Sequence, residues 1–260
     1  MTVGLLHPGE MGAAVGQVLR TGGHDVVWAS AGRSAATRAR ATGFRDVETA
    51  AALIREADLV LSICPPHAAL EVVKSCAGFE GIYVDANAIS PARSREVATL
   101  QPRFVDGGIV GGPPTEPGTT LYLSGPEAED VAALFAGSVL AARVVVDASA
   151  VKMAYAAWSK GTAAMLLAIR EVARHYGVED EWQLAAPELA EPLARAEVSA
   201  ARKGWRWVGE MEEIAASFEA ANLPSGFLAN AEIYRRLEDL RNEKEPTRED
   251  VHRRLLQPRA

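Results

Sequence analysis

The sequence predicts an α/β fold, a doubly wound parallel sheet over residues 1–147, followed by an all-α domain over residues 148–260. Three observations carry that expectation. Short β-branched runs alternate with Ala-rich stretches through the first half, the pattern of βαβ units. A glycine-bearing turn joins the first of these runs to the first helical stretch, the local arrangement that binds phosphate in such sheets. Beyond Asp147 the alternation stops, and apolar residues recur at helical spacing as far as Glu245. With 260 residues, 48% of them hydrophobic, the chain can bury a full core, which excludes disorder and small disulfide scaffolds.

Taken in order, strands are expected at residues 3–7, 25–29, 58–63, 82–86 and 103–107, with 119–124 and 143–146 closing the sheet. Residues 11–20 and 50–57 are rich in good helix formers, and Gly22-Gly23 ends the first helix. In the second half, 149–175 reads as one long helix ended by Gly177, and 229–242 as a later amphipathic one. The charged segment from Glu243 onward reads as a loose tail.

Charge and cysteine content narrow the function. A formal net charge of −7 excludes a backbone-neutralising nucleic-acid binder, so a small-molecule substrate is the expected partner. Cys64 and Cys76 are too few for a disulfide framework or a zinc cluster, and His24, His175 and His252 have no metal-ligand spacing. No metal is expected, and the cytoplasm is the expected compartment. The opening residues do not form a signal peptide, and the apolar run 162–169 is too short to cross a bilayer.

The first strand runs into His7-Pro8-Gly9-Glu10-Met11-Gly12 and then a helix. In a dinucleotide-binding turn, glycines let the backbone approach a pyrophosphate, whose charge rests on unpaired N–H groups at the helix N-terminus. Gly9 and Gly12 take the second and third glycine places of GxGxxG, Gly16 can assist helix-on-strand packing, and His7 stands where the first glycine would be. The second strand ends near Ser30, where a sheet that binds NAD places an acid on the ribose. No acid stands there. Between Asp25 and Asp46 there is no carboxylate but four arginines, Arg33, Arg38, Arg40 and Arg45, four of only 11 basic residues in a 150-residue stretch with 16 acidic ones. Arg33, in the loop directly after the strand, suits a 2′-phosphate through its guanidinium fork, with Ser30 and Ser34 supplying hydroxyls. NADP is therefore expected over NAD. Arg38 and Arg40 read as a solvated helix face.

Five ordered segments, GLLHPGEMG (4–12), LSICPP (61–66), VDANAISP (84–91), VDGGIVGGPPTEPGTTLYLSG (105–125) and AVKMAYAAWSKG (150–161), resemble the β-hydroxyacid dehydrogenase and 6-phosphogluconate dehydrogenase-like superfamily. The chain is most similar to a short branch with a helical C-terminal domain of unknown function. The resemblance implies an NAD(P)-binding Rossmann domain, a helical domain that builds a homodimer, and a substrate bound between the two. It implies that Cys64, Pro65 and Pro66 lie beside the cofactor, that Asn87 and Ser90 face its nicotinamide end, and that Lys152 is the catalytic lysine.

Hydride transfer needs a group that supplies or takes the proton on the substrate heteroatom, and Lys152 among apolar neighbours suits that task. Tyr155 is a second proton-donor candidate, equally readable as a packed aromatic. Where the family binds a substrate carboxylate through Ser-Gly-Gly, this chain has Val110-Gly111-Gly112, and the family's asparagine one turn past the lysine is Ala156. These changes point to a larger or less polar substrate than a small hydroxyacid, with Lys160 available to an anionic group. The expected activity is NADP-dependent oxidoreduction of a carbonyl or alcohol. An imine reductase of the same plan and a non-catalytic NADP-binding protein are the alternatives.

Overall fold

The computed structural model describes residues 1–257 and divides into two compact units, residues 1–153 and 154 onward. The first contains strands β1 (Thr2–Leu5), β2 (Asp25–Trp28), β3 (Arg45–Asp46), β4 (Leu59–Ser62), β5 (Ile82–Asp85), β6 (Phe104–Val110), β7 (Thr119–Ser124) and β8 (Leu140–Val144). Helices α1 (Glu10–Thr21), α2 (Ala35–Arg40), α3 (Ala50–Glu56), α4 (Ala69–Lys74), α5 (Pro91–Ala98) and α6 (Ala128–Ala133) connect them. The strands form one sheet in the order β3-β2-β1-β4-β5-β6-β7-β8. From β3 to β6 all pairs are parallel, β7 runs antiparallel to β6, and β8 is parallel to β7.

Both faces of this sheet are buried, and strand alternation shows why. Val26 and Trp28 of β2, Leu59 and Leu61 of β4, and Ile82 and Val84 of β5 pack with Val15, Val18 and Leu19 of α1. Their odd-numbered or even-numbered neighbours Val27, Val60 and Tyr83 pack with Leu53, Val72 and Val73 on the other side. A strand covered twice reads as a continuous apolar run, which is why these strands were legible. The expected doubly wound α/β sheet is thus the observed one. β3 went unpredicted because its two residues are exposed and carry no apolar signal. β8 lies earlier than the expected 143–146: Leu140 is its buried anchor, while Val146 is fully exposed.

α7 (Ala148–Ala156) carries the chain from the first unit into the second. There follow α8 (Thr162–His175), α9 (Glu179–Ala185), α10 (Ala190–Lys203), α11 (Val208–Ala220), α12 (Phe227–Arg235) and α13 (Arg248–Leu256). This all-helical region matches the expectation, with corrections to its elements. The single helix expected at 149–175 is interrupted by a π-helical turn, Ala157–Gly161. Its carbonyls are satisfied from α12, where Tyr234 donates to Lys160 O at 2.6 Å and Asn230 to Gly161 O at 3.3 Å. The helix expected at 229–242 ends at Arg235, and a separate 3-10 turn covers Glu238–Asn242.

The expected loose tail is also corrected. Thr247 and Asp250 form a capping box that starts α13, and Val251 and Leu255 are buried. His252 of the same helix is buried between Glu171 of α8 and Glu197 of α10, with Arg170 completing the cluster. The last three residues of the expected tail lie outside the described residues. Among the described residues no helix is long and apolar enough to cross a membrane.

Candidate active site

In the first unit the strand order reverses at β1, which has β2 on one side and β4 on the other. Helices therefore leave in opposite directions from adjacent strand ends, opening a crevice at the carboxyl edge of the sheet where such folds bind ligands. The turn of residues 7–12 lies at this point. Gly12 is buried, and a Cβ there would stand 2.5 Å from His7 O, so only glycine lets α1 start this close to the turn. Gly16 serves packing in the same way, since a Cβ would meet Phe44 at 2.7 Å.

Gly9 differs. Its φ of −67° is open to any residue and a Cβ would meet no protein atom within 4 Å. As N-cap of α1 it offers no side chain to the first-turn N–H groups. That leaves a helix N-terminus without a side-chain cap and with clear space before it, the cradle a pyrophosphate fits. Two polar atoms near this cradle are buried without a hydrogen-bond partner, His7 Nδ1 and Arg33 Nε. Burial, then the Arg33 charge, push the His7 imidazole down to about 4, so it is neutral at pH 7. Burial also lowers the Arg33 guanidinium below its ordinary value. A partly desolvated cation within electrostatic reach of His7 and Cys64 suits an anion, so the residues present fit a phosphorylated dinucleotide.

The arginine-rich segment needs correction. Arg45 pairs with Asp25 at 2.9 Å and Glu56 at 2.6 Å, so it is not without counter-charge. Arg38 donates to Ser30 O at 2.9 Å and lies near Asp46. Asp46, at the end of β3, brings an acid beside the end of β2 that the sequence spacing had not indicated, but its carboxylate is engaged by Ser30 and by Glu48 N. Ser34 caps α2, accepting from Thr37 N at 3.2 Å. Arg33 remains the cation of this segment with an orphaned polar atom.

Farther along the same sheet edge, Asn87 locks the ends of β4 and β5 together. Its Nδ2 donates to Ser62 Oγ and Asp85 Oδ2 at 3.1 and 2.9 Å, and its Oδ1 accepts from Cys64 N at 2.5 Å. With both donors used inside the protein, Asn87 shapes the Cys64-Pro65-Pro66 loop rather than offering its amide to a ligand. Ser90 is likewise buried as the N-cap of α5, accepting from Arg93 N at 3.3 Å. Burial pushes the Cys64 thiol up to about 12, which makes it an inert neutral group.

β6 continues past its last register pair with β5, Asp85 with Asp106, to Val110. On this projecting part, Ile109 O accepts a 2.9 Å hydrogen bond from Lys152 Nζ of α7. Gly108 makes the approach possible, because a Cβ there would stand 2.8 Å from Ala148 O and 2.9 Å from Lys152 Cβ. Gly111, at φ +121°, turns the chain toward β7, and Thr119 Oγ1 ties this turn down by donating to Gly112 O at 2.6 Å. Val110 is half-buried at the start of the turn. Lys152 and the 7–12 turn thus lie at the same edge of one sheet, since β1 and β6 both belong to its parallel part.

The remaining expected residues belong to the second unit. Tyr155 and Trp158 are exposed. Ala156 is fully buried and presents no surface to a ligand. Lys160 is ion-paired with Glu210 and lies 5.6 Å from the centre of the Trp207 ring, so its charge is already balanced. Two residues that the sequence reading missed are Asp85 and Asp106, both buried. The available signal was an acid embedded in each of two strands that otherwise read as apolar.

Residues 2–145 match the NAD binding domain of 6-phosphogluconate dehydrogenase, and residues 173–237 match a domain of unknown function, DUF1932. An uncharacterised 28.5 kDa protein of Methanothermus fervidus is 29% identical over 189 residues, 70% of this chain and 74% of that protein. The solved structure of a conserved protein of unknown function, noted for structural similarity with 3-hydroxyacid dehydrogenases, is 26% identical with a TM-score of 0.66, over 93% of this chain and 98% of that one. The 3-hydroxyisobutyrate dehydrogenase of Mycobacterium tuberculosis shares the fold, with a TM-score of 0.68 at 17% identity over 98% and 99% of the two chains. A phosphate cradle at the sheet's switch point and a family match across more than half of the chain agree: the chain belongs to the 6-phosphogluconate dehydrogenase-like family of NAD(P)-dependent oxidoreductases.

Proposed function

We propose that the chain is an NADP-dependent reductase or dehydrogenase acting on a carbonyl or alcohol, with Lys152 as proton donor and acceptor. The observation that carries the reading is the Lys152 ammonium held on Ile109 O at the sheet edge that also holds the 7–12 turn. When bound, the nicotinamide supplies or accepts the hydride. The first-turn N–H groups of α1 hold its pyrophosphate, and Arg33 takes the 2′-phosphate. Lys152 hydrogen-bonds the carbonyl oxygen and passes a proton to it as negative charge develops. Val110 makes that part of the site apolar, favouring a substrate without a small carboxylate there.

NADP is preferred over NAD because Asp46, the acid near the end of β2, is already bonded inside the protein, while Arg33 Nε has no internal partner. Fluorescence titration checks this. Arg33→Ala should weaken NADPH binding by roughly tenfold or more, the worth of a charge-assisted contact, and NADH by much less. Equal losses would contradict the assignment. A panel of ketones, alcohols and cyclic imines with NADPH or NADP, run with the native chain and Lys152→Ala, tests the reaction class. Turnover of imines alone, undiminished in the variant, would overturn the carbonyl reading.

We further propose a homodimer through the helical unit. Trp158, Met165, Ile169, Val172 and Tyr176 recur at steps of seven, four, three and four along α8 and the turn before it, and all are exposed. A helix that is apolar on its outer face as well wants a partner. A stable dimer buries about 800 Å² per partner, of which Trp158 and Tyr176, 72% and 73% exposed, supply roughly 300 Å². The stripe has no charge, so two copies, each of net charge −7, meet there without direct repulsion. The free thiols of Cys64 and Cys76 fit a reducing cytoplasm.

A further inference from the structure

We propose that Asp106 is the positioning residue for Lys152, setting the height and rotation of α7 so that the ammonium reaches Ile109 O and the site. The inference rests on the reading of Lys152 as a site residue, but its geometry stands on bonds within the first unit.

Asp106 lies on β6, three residues before Ile109, and is buried. Four donors converge on its carboxylate. Ser149 N donates to Oδ2 at 2.8 Å and Ser149 Oγ to Oδ1 at 2.6 Å, while Ser94 Oγ donates to Oδ1 at 2.7 Å and Ser124 Oγ to Oδ2 at 3.1 Å. Ser149 is the second residue of α7. Helix first-turn N–H groups otherwise lack partners, and here two are met from acids: Asp106 takes that of Ser149, and Asp147 Oδ1 takes that of Ala150 at 2.7 Å. Ser124 Oγ in turn accepts from Ala148 N at 3.0 Å.

The same strand therefore grips the helix twice, by Asp106 at its first turn and by Ile109 O at Lys152, with Gly108 between them letting the backbones close. A one-residue shift or a few ångströms of lift at Ser149 would carry Lys152 Nζ out of hydrogen-bond range of Ile109 O. The carboxylate accepts from all four partners and places its negative charge at the first turn of α7. Of these partners only the Ser149 backbone N–H must donate, whereas the three serine hydroxyls can also accept, so removal of the whole carboxylate is the decisive change.

Lysine labelling of the full-length chain by trinitrobenzenesulfonate, read residue by residue from peptide masses across the alkaline range, tests this without a substrate. The chain has five lysines, Lys74, Lys152, Lys160, Lys203 and Lys244, so four serve as internal controls. In Asp106→Ala, which removes all four bonds, Lys152 should label roughly tenfold faster than in the native chain, the factor that one lost hydrogen bond to a charged group represents, with the four controls unchanged. Ser149→Ala, which removes one of the two bonds and keeps the backbone one, should give a smaller increase and decides the matter if the first variant does not fold. Unchanged Lys152 reactivity in Ser149→Ala and in any folded Asp106→Ala, or an equal rise at all five lysines, would overturn the proposal. Faster Lys152 labelling combined with full carbonyl turnover in Lys152→Ala would instead retain the positioning role and remove the catalytic one.

Discussion

At the scale of single residues, the two glycines of the 7–12 turn separate what the fold needs from what a ligand needs. Gly12 is required internally by the 2.5 Å approach of His7 O, whereas nothing in the chain crowds Gly9. Gly12→Ala should therefore lower stability by about 1–3 kcal/mol in urea unfolding, the usual cost of overpacking. Gly9→Ala should leave the unfolding midpoint within the range of a surface substitution and weaken dinucleotide binding in titration. A second residue-scale prediction concerns Asp85. Burial, and then the charge of Asp106 across the strand pair, push its carboxyl up to about 7, although Asn87 donates two hydrogen bonds to it. The folded chain thus holds this proton more tightly than the unfolded one, whose aspartates titrate near 4. Stability from this group is highest at low pH and is lost as pH rises from about 4 to about 7, by an amount on the order of a few kcal/mol. Comparing the urea midpoints of the native chain and Asp85→Asn at pH 5 and pH 8 isolates it, since other groups cancel. The native midpoint should fall relative to the variant's as pH rises, and parallel behaviour would contradict the assignment.

Helices and strands show where periodicity stops being informative. The apolar pattern through 149–175 is continuous, and it predicts one helix, because a π turn adds a residue without changing composition. What holds that turn is Tyr234 and Asn230, some 70 residues later, together with the absence of a Cβ at Gly161, which would meet Phe227 at 2.5 Å. Tyr234→Phe removes the donor to Lys160 O and should cost about 1–3 kcal/mol in thermal or chemical unfolding, the penalty of a buried carbonyl left without its partner. If the variant unfolds like the native chain, the carbonyl is satisfied some other way. α13 was missed for the opposite reason. Its composition is charged, but the Thr247–Asp250 capping box was present to be read, and its burial depends on His252 meeting Glu171 and Glu197 from two other helices.

For the molecule as a whole, the apolar stripe on α8 leads to the assembly prediction. Ile169→Glu, near the middle of the stripe, should convert a dimer to a monomer in sedimentation equilibrium while leaving the helical circular dichroism unchanged. A native chain that sediments as a monomer at micromolar concentration would remove the proposal. The sequence by itself determined the doubly wound sheet, the helical second half and the glycine turn, because each depends on local pattern or on spacing within one or two neighbouring elements. Only the tertiary structure decided which arginines already have partners, that Asn87, Ser90 and Lys160 are engaged within the protein, and that Asp106 holds the helix of the lysine. Those outcomes depend on contacts between residues tens of positions apart, and a side chain's charge or hydroxyl carries no mark in the sequence of whether the fold has already satisfied it.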